Sequence, residues 1–351
     1  MSIPLLSYLE DLGQKKKGNL PKELVSAGLV RTATIHLNQK AYSIQQRLPN
    51  SKWEDFYWAK DLEEDREVCL VTPNREANLQ YFLSRHSRES GNLQIYKVRE
   101  AVRQFELLNE EFYNRMKEAQ QVPSHRSLPI IYGVANFSPQ NRSFAILESV
   151  AGTPFLQATR DMKTLEIFRL FRELLEGIDR MHEYDLFHRR VKSGNIVVQN
   201  IAKKPTAKFL SWGLAISKEK GWGDQSGARH YLAPEILLKG EVTEQADLWA
   251  LCSLLCKALT GGFPFPARKH SYTIQQLMVQ ASRETLPTEF KIRQACRQSK
   301  KLQELLFGLL HPNPKKRIFK NARQVINFID SNWPEVATVW EDEQTTEMIT
   351  L

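Results

Sequence analysis

The sequence has few cysteines, no long apolar run and no repeat. Its four cysteines, Cys69, Cys252, Cys256 and Cys296, form no CxxC pair, which excludes a disulfide framework and a zinc ribbon. Cys252 and Cys256 stand four apart in an apolar stretch and read as small core residues. That stretch, Leu248–Leu259, is the longest apolar candidate, and Cys252, Ser253, Cys256 and Lys257 interrupt it, so no bilayer span is expected. The first residues lack the basic start, apolar core and small-residue cleavage site of a secretory leader. These absences predict a cytoplasmic protein in a reducing compartment, its own cell's or a host's.

Acidic charge is in deficit. Forty-nine Lys and Arg against 40 Asp and Glu leave a net charge of +9. Basic clusters lie at 15–17, 268–270, 291–301 and 315–317, but no nucleic-acid motif accompanies them, so they read as solvated faces. The remaining composition, 42% hydrophobic and 25% charged over 351 residues, is that of an ordinary folded protein with enough chain for a sizeable core.

Hydrophobic spacing changes along the chain. After a lead over 1–40, with a strand near Thr34–Leu37, short β runs occur at Tyr42–Leu48, Glu54–Lys60 and Glu67–Thr72. Residues 73–98 are polar and read as an inserted loop. Val102, Phe105, Leu108, Phe112 and Met116 then recur at helical spacing over Arg99–Ala119. Strands follow at Ile130–Val134 and Ser143–Leu147, and beyond Gly152 the pattern is helical, with Thr164–Tyr184 amphipathic and Ala246–Leu259 almost wholly apolar. The expected fold is α+β and bilobal: an extension over 1–40, a small β-rich lobe with one main helix over 41–152, a larger helical lobe over 153–338, and an acidic tail over 339–351.

Motifs in the two halves keep this order. Gly227-Ala-Arg-His-Tyr-Leu-Ala-Pro-Glu235, Asp247-Leu-Trp-Ala-Leu251, Leu259-Thr-Gly-Gly-Phe-Pro-Phe265 and His311-Pro-Asn-Pro-Lys-Lys-Arg317 follow one another in the second. Together with His188-Arg-Arg-Val-Lys-Ser-Gly-Asn195 they resemble the signature set of the protein kinases, over roughly 41–333. The resemblance implies the bilobal kinase fold. It also implies that Glu235 and Arg317 form a buried ion pair, and that Asp247 accepts hydrogen bonds from the catalytic-loop backbone.

Where that family keeps its chemistry, this sequence departs from it. His188, Arg189, Lys192 and Asn195 match the catalytic loop, but Arg190 stands where an aspartate would accept the substrate proton, and a guanidinium is no base. Ser211 and Trp212 replace the aspartate and phenylalanine that precede Gly213, so the magnesium-holding carboxylate is missing. Pro49, Ser51 and Glu54 fill the three glycine positions of the phosphate loop, and Val71 fills that of the strand lysine. The lysine's helix partner corresponds to Glu106, Glu110 or Glu111, and the nucleotide-contacting hinge to the region of Glu148 and Val150.

Fold-bearing residues are kept and chemistry-bearing ones are gone. The resemblance therefore implies a pseudokinase, a protein-binding scaffold or regulator in signalling, with no catalytic residue, metal or cofactor expected. The alternative is an atypical transferase moving a phosphoryl or nucleotidyl group from ATP with magnesium. Arg189, Arg190 and Lys192 would cluster at the cleft mouth and hold an acidic or phosphorylated protein segment, for instance of a kinase. Equally, Arg190 would pair internally with a nearby glutamate and seal the cleft. Ser217 and Ser226 lie in the activation segment, where a phosphate would pair with Arg189. Residues 85–93, RHSRESGNL, resemble peptides translated from bacterial palindromic repeats, which implies a bacterial source. The tail over 340–351 resembles the export signals of type IV effectors, though it reads as well as a plain solvated end.

Overall fold

A computed structural model describes residues 33–48, 54–85, 94–137, 141–201, 204–212, 230–239, 243–264 and 300–333. Six antiparallel strands form one sheet in the order β1-β2-β3-β4-β6-β5: β1 (Ala33–Leu37), β2 (Lys40–Arg47), β3 (Glu54–Asp61), β4 (Arg66–Pro73), β5 (Ile131–Phe137) and β6 (Arg142–Glu148). Asn38 and Gln39, both at positive φ, turn β1 into β2, as a two-residue hairpin requires. The sheet thus begins at Ala33, inside the segment read above as an extension.

The pleat divides the apolar residues between two cores. Val68 and Leu70 of β4 face one way, with Leu37, Tyr42, Ala59 and Phe144. Cys69 and Val71 face the other, into the main core. Because β4 is covered on both faces, it reads as a continuous apolar run.

The region 73–98 is not a simple loop, which corrects the sequence reading. It contains helix α1 (Arg75–Arg85) and the start of α2 (Gln94–Ala119). Asn74 starts α1 by accepting from the Ala77 amide at 2.8 Å. Leu79 and Phe82, one turn apart, then bury against Ala101, Phe105 and Leu108 of α2. Few apolar residues on a polar helix leave a weak local signal, and the partner helix supplies the rest. The opposite side of α2 sends Phe112, Met116 and Ala119 into the main core.

Beyond Glu148 the chain is mainly helical. Short strands β7 (Thr153–Pro154), β8 (Ile196–Ile201) and β9 (Lys204–Phe209) form a second sheet. The helices are α3 (Phe155–Ala158), α4 (Thr164–His182), α5 (Pro234–Lys239), α6 (Glu244–Thr260), α7 (Lys300–Leu309) and α8 (Ala322–Ser331). Helix α4 packs on α6, α8 and β9. Helix α6 buries Asp247 to Cys256 without a break, as a helix apolar on all sides must. It ends at Gly261, whose φ of 69° is the left-handed cap glycine supplies at least cost. Cys69, Cys252 and Cys256 are free and buried. Among the described residues no helix is long and apolar enough to cross a membrane.

One apolar cluster runs from Cys69 and Val71 in the small lobe through Phe209 and Trp212 to Leu255 and Ile329 in the large one. The cleft between the lobes is built on this shared core.

Candidate functional site: the cleft between the lobes

Asp247 organises the loop that follows α4. Buried at the first turn of α6, it accepts from the backbone amides of His188 at 2.8 Å and Arg189 at 2.7 Å, and bonds His182 Nε2 at 3.1 Å. Burial pushes its pKa up, but the His182 bond and charge and the loop contacts outweigh this and hold it below the usual carboxylate range. Arg189 sits at φ 60°, a left-handed conformation costly for an arginine.

His188 is buried, and burial pushes its imidazole pKa down to about 4. Its Nε2 donates to the Ser211 carbonyl at 3.1 Å, and its Nδ1 accepts from the Arg190 amide at 3.3 Å, a pattern only the neutral ring can make. The ring also lies against Phe209, centroids 4.5 Å apart. Trp212 is buried and donates from Nε1 to the Pro129 carbonyl at 2.8 Å. Ser211 is likewise buried.

Arg190 does not face open solvent. Its Nη1 donates to Glu54 Oε2 at 2.7 Å, with side-chain exposures of 13% and 2%. Glu54 opens β3 in the small lobe, so the pair crosses the cleft. Asn195 donates its amide to the Arg190 carbonyl at 2.8 Å, so this contact ties the loop to itself. Lys192 is half-buried nearby.

Val71 is buried in the cluster that contains Cys69, Phe112, Met116 and Leu147. Burial, followed by the charge of Glu54, pushes the Cys69 thiol up to about 12, which leaves it inert. Leu48 and Phe56, on either side of the phosphate-loop positions, pack onto the same core, and the Leu48 amide donates to the Phe56 carbonyl at 2.8 Å. Pro49 and Ser51 lie outside the described residues, as do Gly213, Ser217, Ser226 and the acidic tail. Of the three helix glutamates, Glu106 and Glu110 are exposed and Glu111 is half-buried. Burial lowers the pKa of Arg189, and the charges of Asp247 and Glu111 oppose that shift.

At the hinge, the Glu148 carboxylate accepts from Lys208 Nζ at 2.6 Å and from the Ile130 amide at 3.1 Å. Val150 is half-buried beside it. No pattern in the sequence marks Lys208, which stands between Ala207 and Phe209 in β9. Farther away, Arg317 donates to both Glu235 oxygens at 2.7 Å and lies over the Trp249 ring at 4.9 Å.

A sheet lobe with one long helix, a helical lobe, and a loop held by Asp247 at their junction define the bilobal α+β architecture of protein kinases. Residues 85–328 match the protein kinase domain family, and the chain belongs to that family. It is similar to the Aurora kinase of Eremothecium gossypii, 25% identical over 174 residues, 48% of this chain and 46% of that one. It is similar to the serine/threonine-protein kinase ULK3 of Xenopus laevis, 28% identical over 184 residues, 51% of this chain and 38% of the relative. Similarity to the serine/threonine-protein kinase polo of Drosophila melanogaster is 24% over 221 residues, 60% of this chain and 36% of the relative. The chain spans less than half the length of each of these relatives. The family match begins at residue 85, after β4, so the strands carrying Glu54 and Val71 precede it.

Proposed function

We propose that this protein is a pseudokinase, a kinase-fold scaffold or regulator that binds a protein partner in a signalling role without conventional phosphoryl transfer. The contact between Arg190 and Glu54 carries this reading. It puts a guanidinium at the base position and satisfies it with a carboxylate from the end of the phosphate-loop segment. A magnesium nucleotide needs a cation for its phosphates and carboxylates for the metal. Here the lysine position is an apolar side chain in the core, and the metal position offers a buried serine. The donor set does not fit magnesium-ATP.

Thermal denaturation with ATP, with and without magnesium or manganese, tests this. Ligand at a hundred times its Kd would stabilise by about 2.7 kcal/mol, a readily measured shift. The expected result is none, together with no label transfer from γ-labelled ATP. A metal-dependent shift would overturn the reading. Affinity purification from the native source should recover a stoichiometric partner, with an acidic or phosphorylated segment as its expected contact.

A second reading is an active transferase using ATP. It is favoured by the serine/threonine kinases among the relatives and by the retained His188, Lys192 and Asn195. The same titration separates the two. A bacterial source and a cytoplasmic location, with export into a host cell, complete the proposal. The source and the export rest on the segment 85–93 and the tail sequence, and the cytoplasmic location on the cysteine usage.

A further inference from the structure

Both ends of the Arg190–Glu54 contact are fixed before they meet. On the small-lobe side, Glu54 pairs across from Pro73 in the β3–β4 ladder. Its neighbour Asp55 is buried and takes hydrogen bonds from Arg47 at 2.6 Å, Asn74 at 2.9 Å and Arg142 at 3.1 Å, so the start of β3 is clamped into the sheet. On the large-lobe side, the Arg190 amide donates to His188 and its carbonyl accepts from Asn195, while Asp247 holds the two preceding amides. Little backbone freedom remains to be lost when the pair forms.

Opening the cleft would separate Glu54 from Arg190 and break a largely buried ion pair. Removing one partner of such a pair is costly, because the other charge stays in a poorly hydrated place.

We propose that Glu54 and Arg190 form an interlobe latch that holds the two lobes closed without any nucleotide. It rests on the reading of the cleft as non-catalytic only in that no nucleotide supplies the closure. The bridge that a bound phosphate chain and metal would provide is replaced by a direct ion pair across the cleft. A partner then meets a single fixed arrangement of the lobes.

Four variants of the full chain test the latch: Glu54→Gln, Arg190→Gln, both together, and the reversal Glu54→Arg with Arg190→Glu. Melting temperature and amide hydrogen exchange are measured without nucleotide. Each single variant is expected to lower the melting temperature by roughly 5–10 °C. Each should also speed exchange at least tenfold in β3 and in 188–195. The double variant should lose less than the sum of the singles, and the reversal should recover part of the loss. Strict additivity of the singles, or singles that exchange like the wild type, overturns the latch. Should the glutamine variants fail to fold, Arg190→Lys keeps the charge and loses the fork geometry. Faster exchange confined to β3 and 188–195 then supports the latch, and wild-type exchange there overturns it. The nucleotide titration reads out separately. ATP binding with coupled singles would sink the non-catalytic reading and leave the latch; additive singles without ATP binding would do the reverse.

Discussion

Arg317 grips Glu235 with both Nη atoms, each 2.7 Å from a carboxylate oxygen, and both side chains are buried. Arg317 also donates from Nε to the His311 carbonyl at 2.9 Å and from Nη1 to the Gln245 carbonyl at 3.2 Å. One guanidinium therefore joins the first turn of α5, the start of α6 and the turn before α8. Replacing Arg317 by Met leaves a buried carboxylate and two carbonyls without their donor. The expected loss is about 3–5 kcal/mol in urea denaturation. The double variant Glu235→Leu with Arg317→Met should lose less than the two single costs added.

Acid should destabilise the fold through His188. Its folded-state pKa of about 4 lies below the ordinary value of 6.5, so the unfolded chain takes up the proton first as pH falls. Stability present above pH 6.5 is lost progressively down to about pH 4, by roughly 3 kcal/mol in all. Asp247, also held low, adds a loss of the same sign as pH falls through its own folded pKa. Urea denaturation from pH 7.5 to 4.5 measures the slope, and His188→Gln should reduce it by up to one proton.

Restoring a lysine at position 71 should not restore nucleotide binding. The new ammonium would enter the cluster of Cys69, Phe112, Met116 and Leu147, with the latch still closed. Val71→Lys should cost at least about 2 kcal/mol and give no ATP-dependent thermal shift. An ATP-dependent rise in melting temperature would contradict this.

Gly177 marks a close approach. A Cβ there would collide with the Ser127 hydroxyl, which bonds His125 Nδ1 at 2.8 Å. The Ser127 carbonyl in turn accepts from the Phe209 amide at 2.8 Å, tying the chain before β5 to β9. Gly177→Ala is expected to cost about 1–3 kcal/mol by overpacking. Adding Ser127→Gly should return part of it, measured by the same denaturation.

The apolar runs of β4 and α6, and the order of the motifs holding Glu235, Asp247 and Arg317, made the two-lobed fold legible in the sequence. These are local patterns: a pleat or a helix repeats its own period, and a motif carries its own spacing. The substitutions at 71, 190 and 211 were legible for the same reason. Helix α1 was not, because its apolar side is only a few residues wide and is completed by α2. Nor could spacing distinguish Glu106, Glu110 and Glu111, which lie within two turns of one helix; only the fold leaves the first two exposed and Glu111 half-buried. The Lys208–Glu148 pair and the Arg190–Glu54 pair join residues 60 and 136 positions apart. No period links such distances. The sequence by itself determined that Arg190 cannot be a base; only the folded arrangement of β3 against the catalytic loop decided that its charge is met by Glu54 across the cleft.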